Sequence, residues 1–121
     1  MAEAEKRSGG CHCGAVRYEA TADLAQVIEC NCSHCQRKGF LLTFVPRGAL
    51  TITGGEEHLS TYTFNTHTIQ HRFCAACGCQ PFGEGRQPTG EDTAAINVRC
   101  LEDIELSSLN IVPFNGRDVT G

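Results

Sequence analysis

Three cysteines fall within six residues at positions 30 to 35, in the order Cys-Asn-Cys-Ser-His-Cys. Thiols spaced this closely in an intracellular protein most often hold a soft divalent metal. Two further pairs lie far from this cluster in the sequence, Cys11 with Cys13 and Cys74 with Cys77. Clusters of two, three and two cysteines predict one closed zinc site with four thiolates and a second site with three thiolates and an open fourth position.

The chain contains nine cysteines, an odd number that does not suit a framework of paired disulfides. The first ten residues, Met-Ala-Glu-Ala-Glu-Lys-Arg-Ser-Gly-Gly, include no apolar stretch typical of an export signal. No run of about 18 residues is apolar enough to span a bilayer. We therefore expect a cytoplasmic protein with no membrane partner, whose thiols are reduced and bind metal.

Length and charge limit the possible classes of function. At 121 residues the chain is expected to form a single domain. Its formal net charge of −4, counted with neutral thiols, becomes more negative still if seven thiolates hold two Zn²⁺ ions. Nucleic-acid binding favours a basic stripe, so nucleic acid is not an expected partner. The small basic clusters at Arg37-Lys38 and at Arg72 are interpreted as solvated surface.

Alternation of apolar and polar residues predicts a mostly β domain. In the first predicted strand, Val16, Tyr18 and Ala20 lie on one face, and Arg17 and Glu19 on the other. The segments before and after Gly54-Gly55 are interpreted as a strand pair. Residues 83–91 are rich in glycine, proline and charge and are expected to form a mobile loop. The predicted strands are 15–20, 25–31, 40–45, 50–53, 59–64, 66–73, 95–100 and 110–114.

A short helical turn is predicted from Ser33 to Lys38. Ser33 followed three residues later by Gln36 fits a capping box, and Gly39 stands where a helix would end. Cys35 would then lie in the first turn, where free N–H groups and the helix dipole favour a thiolate.

The pairs Cys11/Cys13 and Cys74/Cys77 predict a closed four-sulfur site. Residues i and i+2 of an extended segment point to the same side, so Cys11 and Cys13 can reach one metal. Cys74-Ala-Ala-Cys77 has the spacing of a zinc knuckle, and the two pairs together would complete a tetrahedron. Zinc binding in such sites is worth roughly 10–16 kcal/mol, as much as the roughly 5–15 kcal/mol that stabilises a whole domain. Removal of this metal is therefore expected to unfold the protein.

Cys30, Cys32 and Cys35 predict an open site, because three protein ligands and a free fourth position are typical of catalytic zinc. A thiol that enters the fourth position would lose its proton near neutral pH and become a nucleophile. A fourth protein ligand would instead make the site structural. The candidates for that ligand are His34, Cys79 and Cys100, of which Cys100 also suits a buried core position.

The other histidines are interpreted as surface residues or hydrogen-bonded residues of strands. These are His12, His58, His67 and His71. His67 and His71 share an apolar face of a predicted strand and are candidates to line a pocket.

Three motifs together resemble the glutathione-dependent formaldehyde-activating enzyme family, which also includes centromere protein V. They are Gly-Cys-His-Cys-Gly-Ala-Val-Arg-Tyr at 10–18, Cys-Asn-Cys-Ser-His-Cys-Gln-Arg-Lys-Gly at 30–39 and Phe-Cys-Ala-Ala-Cys-Gly at 73–78. The likeness extends to Asn97-Val-Arg-Cys-Leu101. It implies a β-tent fold of stacked antiparallel sheets with a short helical turn, stapled by zinc. This domain would cover residues 10–114, between a disordered tail at 1–9 and a C-terminal tail at 115–121.

The resemblance assigns a structural zinc to Cys11, Cys13, Cys74 and Cys77, and a catalytic zinc to Cys30, Cys32 and Cys35. The family's named enzyme joins glutathione to formaldehyde, giving S-hydroxymethylglutathione, and is classed as a carbon–sulfur lyase. The resemblance thus implies a zinc-dependent, lyase-like enzyme that handles adducts of glutathione, or a similar thiol, with a small aldehyde such as formaldehyde. The alternative hypothesis is a zinc-stabilised binding module without catalytic activity. The sequence predicts no oligomeric state.

Overall fold

The computed structural model describes residues 5–63, 69–86, 90–102 and 104–115. These residues form a mostly β structure with two sheets and one α-helix, α1, at Ser33–Lys38. Four single turns of 3₁₀-helix lie at Arg47–Ala49, Glu56–His58, Val98–Cys100 and Leu106–Ser108. The strands are β1 Glu5–Gly10, β2 Arg17–Ala22, β3 Val27–Cys30, β4 Leu42–Pro46, β5 Leu50–Gly54, β6 Leu59–Tyr62, β7 Gln70–Cys74, β8 Phe82–Arg86, β9 Asp92–Asn97 and β10 Ile111–Phe114.

The smaller sheet has the strand order β1-β2-β5, and the larger one has the order β10-β3-β4-β9-β8-β7-β6. Neighbouring strands are antiparallel except β3 and β10, which run parallel from the pair Val27/Ile111 to the pair Cys30/Phe114. The expectation of purely antiparallel sheets was therefore wrong at this edge. A parallel pair needs a long crossover, and here most of the chain, from β4 to β9, lies between the two strands.

The hydrophobic core lies where the apolar faces of the two sheets meet. Tyr18 of β2 is fully buried, and its ring packs edge-on against Phe82 of β8 with the centroids 5.5 Å apart. As predicted, Tyr18 and Ala20 face inward while Arg17 is exposed. Ile96 of β9, another predicted inward residue, is also fully buried. The pattern of alternation thus located the interior face of both sheets.

Residues 5–9 do not form a disordered tail, which corrects the sequence prediction; residues 1–4 lie outside the described residues. Residues 5–9 belong to β1, which pairs with β2 along its whole length. Gly9 permits this pairing because a Cβ there would lie 2.7 Å from the Tyr18 ring. Lys6 also forms an ion pair with Glu19 of β2 at 3.5 Å. The polar composition of this segment predicted disorder, but hydrogen bonding of its main chain to β2 needs no apolar side chains.

The predicted loop at 83–91 was also wrong in its first part, since residues 83–86 belong to β8; residues 87–89 lie outside the described residues. Glu84 occupies a central position between two arginines. Arg47 Nε donates to one carboxylate oxygen at 2.6 Å, and Arg72 donates to the other at 3.1 Å. The prediction that Arg72 is solvated surface was therefore wrong, because its guanidinium, together with that of Arg47, pairs with a largely buried carboxylate.

The strands around Gly54-Gly55 do not pair with each other, contrary to the sequence interpretation. β5 pairs with β2 in the smaller sheet, and β6 pairs with β7 in the larger one. Gly55 turns the chain between the sheets with φ of 77°, a left-handed conformation that favours glycine. Together with the Glu56–His58 turn, it carries the chain from one sheet to the other.

Among the described residues, no helix is long and apolar enough to cross a membrane.

We predict that Gly55→Ala destabilises the fold by about 2–4 kcal/mol, because the new Cβ adds backbone strain and a severe steric clash. It would lie 1.7 Å from the carbonyl oxygen of Ala15. The neighbouring Gly54→Ala is the matched control, since its Cβ meets no atom within 4 Å. Thermal unfolding followed by circular dichroism should show a fall in Tm of at least about 8 °C for the first variant only. Equal Tm values for the two variants would contradict this account.

Candidate metal centres

Four cysteines from two distant segments converge on one point. The Sγ atoms of Cys11, Cys13, Cys74 and Cys77 all lie within 4.8 Å of one another. The distance is 3.6 Å between the sulfurs of Cys11 and Cys13 and 3.7 Å between those of Cys13 and Cys74. A tetrahedron with Zn–S bonds of about 2.3 Å has edges of about 3.8 Å. The donor set and its spacing therefore fit a zinc ion.

Two tight turns bring these sulfurs into position. After β1, the N–H of Gly14 donates to the carbonyl of Cys11 at 3.2 Å, and Gly14 has φ of 82°. After β7, the N–H of Gly78 donates to the carbonyl of Cys74 at 2.8 Å, and its φ is 80°. A glycine with positive φ therefore completes each turn, as the short Cys-x-Cys-Gly and Cys-x-x-Cys-Gly motifs require.

The backbone also stabilises thiolate forms in this cluster. The N–H of Val16 donates to Cys11 Sγ at 3.3 Å. Hydrogen bonds from the backbone of Cys13 and Cys79 lower the pKa of Cys77 to about 6. The thiolate is the form that binds metal, so the lowered pKa of Cys77 gives this site one sulfur that is in the metal-binding form at neutral pH.

The second group consists of Cys30, Cys32 and Cys35, whose Sγ atoms also lie within 4.8 Å of one another. Cys30 is the last residue of β3, Cys32 precedes α1, and Cys35 is buried in its first turn. Among the described residues, this group of converging donors contains no fourth cysteine, histidine or carboxylate. Three sulfurs fit a zinc site with an open position.

Helix α1 has the predicted bounds and ends at Gly39 in a left-handed conformation, but its cap differs from the prediction. The N-cap is Cys32, not Ser33, and Cys32 Sγ accepts from the N–H of Cys35 at 3.3 Å. Burial raises the pKa of Cys35. Burial also opposes ionisation of Cys32, but the hydrogen bond from the Cys35 N–H and other hydrogen bonds lower its pKa. The start of the helix thus favours a thiolate at Cys32 rather than at Cys35.

A cavity of about 420 Å³ opens beside the three-cysteine group. Cys30 and Cys35 contribute to its wall, so a ligand in the cavity can approach the sulfurs. Two aromatic rings and three side-chain amides also contribute to its wall. The full set of other lining residues is Glu29, Asn31, Gln36, Gly39, Phe40, Pro113, Phe114 and Asn115. The pairing of β3 with β10 forms one side of this cavity, and the sequence motifs gave no signal for the contribution of residues 113–115.

The three alternative fourth ligands lie elsewhere. Cys79 and Cys100 are next to each other, with their sulfurs 3.4 Å apart, and neither belongs to the three-cysteine group. The His34 ring packs against Tyr62 and His71, with centroid distances of 5.6 and 4.2 Å. None of the three therefore completes the second group in this arrangement.

A second cavity, of about 740 Å³, lies beside the opposite face of α1. Its lining includes His34, Arg37, Lys38, Tyr62 and Phe73. The Lys38 ammonium lies 5.9 Å from the Phe73 ring centroid. Arg37 and Lys38 are both exposed, as the sequence predicted.

His71, a predicted pocket residue, is buried against His34 behind this second cavity. The other predicted pocket histidine, His67, lies outside the described residues. His71 lies on the face of β7 that packs against α1, where its ring contacts that of His34, whereas Gln70 next to it on the same strand is exposed.

Two comparisons relate the chain to known proteins. A family model described as glutathione-dependent formaldehyde-activating enzyme matches residues 6–112. Among solved structures, the crystal structure of a Rhodobacter sphaeroides protein is similar, with a TM-score of 0.78 and 32% sequence identity. That similarity covers 88% of this chain and 97% of the other chain. All of the cysteine motifs, and all of the two sheets except Glu5 of β1 and the last two residues of β10, lie within the matched family region.

The environment of His71 predicts a specific pH dependence of stability. Burial lowers its pKa to about 4, with further contributions from His34 and Lys38 of α1; Tyr62 of β6 also faces it. The unfolded histidine has a pKa of about 6.5, so between pH 6.5 and 4 the unfolded chain binds a proton that the folded chain does not. The free energy of unfolding should therefore fall by about 1–3 kcal/mol as the pH falls through this window.

Urea unfolding at several pH values should show a shallower dependence for His71→Gln than for the wild type. His58→Gln is the control, because the His58 side chain is half exposed on the Glu56–His58 turn. That variant should keep the wild-type slope. Parallel pH curves for His71→Gln and the wild type would show that this histidine does not titrate as described.

Proposed function

Because the chain belongs to the glutathione-dependent formaldehyde-activating enzyme family, we propose that it is a zinc-dependent carbon–sulfur lyase-like enzyme. Its substrates would be adducts of glutathione, or a similar thiol, with a small aldehyde such as formaldehyde. The observation that supports this best is the group of Cys30, Cys32 and Cys35 in the wall of a cavity, without a fourth protein ligand among the described residues. A closed structural site would need no such access.

The two cysteine groups would then hold two zinc ions with different roles. Cys11, Cys13, Cys74 and Cys77 would hold the structural ion, and the three cysteines near α1 the catalytic one. We further propose that β1 to β10 form one domain of the β-tent type in a cytoplasmic protein. A reducing compartment suits this proposal, since thiol ligands must stay unoxidised.

Zinc at the open site would supply Lewis acidity and would lower the pKa of an incoming thiol. The chain's own residues contribute binding and orientation. The N–H of Cys35 holds the Cys32 sulfur in place, and Phe40 and Phe114 contribute apolar rings to the cavity wall.

The polar part of the cavity suits a peptide-like thiol. Asn31, Gln36 and Asn115 contribute amide groups that can both donate and accept hydrogen bonds. The side-chain Nδ2 of Asn31 donates to the side-chain Oδ1 of Asn115 at 3.0 Å, which links the residue after β3 to the residue after β10. This link positions the amides on one rim of the cavity, where the backbone amides of glutathione would find partners.

The reaction can be tested with protein that holds two zinc ions, glutathione and ¹³C-formaldehyde, using exchange NMR to measure the rate of adduct formation. We expect a rate clearly above the uncatalysed background for the wild type. Cys30→Ser should lose at least about 100-fold, since even outer-shell changes at metal sites cost 10–100-fold. Cys100→Ser is the control and should keep the wild-type rate. A wild-type rate equal to background across several thiols and aldehydes would favour the non-catalytic binding module.

Metal content separates the two sites. X-ray absorption of protein without added thiol should give an average of about 3.5 sulfurs per zinc, because four donors converge at one site and three at the other. Cys32→Ser should bind one zinc fewer and remain folded, whereas Cys11→Ser should lose the fold as well, since structural zinc contributes folding free energy. Elemental analysis and circular dichroism measure these results. Four sulfurs around both ions would contradict an open site.

A further inference from the structure

Two cysteines remain outside both groups of metal donors. Cys79 follows the Cys74-to-Cys77 turn, and Cys100 ends the 3₁₀ turn Val98–Cys100. They are 21 positions apart in the sequence, yet their sulfurs are 3.4 Å apart. This distance is shorter than the 3.6 Å and 3.7 Å between sulfurs of the four-cysteine group. The nine cysteines therefore divide into groups of four, three and two.

The surroundings hold this pair together. The thiol of Cys100 donates to the carbonyl oxygen of Gln80 at 3.6 Å, and Asn97, which begins the same 3₁₀ turn, donates to that oxygen at 2.9 Å. On the Cys79 side of the pair, the backbone carbonyl of Cys79 accepts from the N–H of Cys74 at 2.9 Å. The Cys100 sulfur and the Cys79 backbone are thus each held by a hydrogen bond, and both side chains are only partly buried.

We propose that Cys79 and Cys100 form a reactive dithiol that low-molecular-weight disulfides, such as glutathione disulfide, oxidise to an internal disulfide. This pair shares no sulfur with the two metal sites, although Cys79 packs against the four-cysteine group, and it does not depend on the proposed catalytic activity. Oxidation would leave the seven metal-donor cysteines unchanged. The product would join the turn after β7 covalently to the turn after β9.

The chemistry proceeds by two thiol–disulfide exchanges. In the first, the thiolate of one cysteine attacks a sulfur of glutathione disulfide, which breaks its S–S bond, forms a mixed disulfide and releases one glutathione thiolate. In the second, the other cysteine, after losing its proton to solvent, attacks the protein sulfur of the mixed disulfide and releases a second glutathione. The two protein thiols are oxidised and one glutathione disulfide is reduced to two glutathione molecules.

The geometry favours the second exchange. A disulfide bond is about 2.05 Å long, so the sulfurs must approach by only about 1.4 Å, which small side-chain rotations can provide. The resolving thiol is already in contact with its target, and such prior positioning accelerates a reaction greatly over its intermolecular equivalent. A mixed disulfide with glutathione should therefore be short-lived in the wild type.

The seven cysteines that would hold zinc should react more slowly. Zinc would engage their thiolates directly, and an attack through one of them would require the loss of a metal bond. Cys13 and Cys77 are exposed, so they are the strictest test of this difference.

The experiment treats the full chain, loaded with two zinc ions, with glutathione disulfide and follows it by intact mass and by peptide mapping without reduction. We expect a mass loss of two hydrogens, a single cross-link between Cys79 and Cys100, and unchanged zinc content. Cys100→Ser should instead gain one glutathione at Cys79, and Cys79→Ser should gain one at Cys100. Circular dichroism of both variants checks that they remain folded.

Stable glutathione adducts on both cysteines of the wild type, without the internal bond, would overturn the proposal. Cross-links among the other seven cysteines, accompanied by zinc release, would overturn it too. The rate of adduct formation from formaldehyde is a separate measurement, so failure of the proposed function would leave this result interpretable.

Discussion

The structure depends most on the convergence of four sulfurs from two segments that lie 61 positions apart between Cys13 and Cys74. Bringing such distant segments together costs loop-closure entropy, and ordering the chain costs more. The chain has no tryptophan and only 7% aromatic residues, so its core offers fewer large apolar contacts than many domains of this size. A metal shared by these sulfurs would offset that cost with a free energy comparable to the stability of the whole domain.

The second group is different because it is local. Cys30, Cys32 and Cys35 lie within six residues, and the end of β3 and the start of α1 already place them together. A ligand lost from such a group need not release distant parts of the fold. The chain therefore separates stability from accessibility: the long-range cluster can be fully coordinated, whereas the local cluster can exchange a partner beside a cavity.

The sequence predicted the parts of the molecule that depend on local patterns. Both cysteine groups, the bounds of α1 and the inward face of β2 follow from spacing and alternation, and the structure confirms them. Pairing between strands was predicted less well, because β5 and β6 are adjacent in the chain but belong to different sheets. The polar segments β1 and β8 were also missed. Their order comes from main-chain pairing and from Arg47 and Arg72 around Glu84, which are contacts that no local window contains.

Helix α1 shows how six residues can serve two surfaces. Cys35 and Gln36 contribute to the cavity beside the sulfurs, and Arg37 and Lys38 contribute to the cavity on the opposite side. Among the described residues that line the sulfur-side cavity, the one charged side chain is Glu29, and there is no lysine or arginine. Recognition of a peptide thiol at that site, as proposed above, would therefore depend on amide hydrogen bonds and apolar walls rather than on paired charges. Such a site would discriminate among thiols by the positions of their amides, which set the hydrogen bonds they can form with the amide groups of the cavity, and less by their net charge.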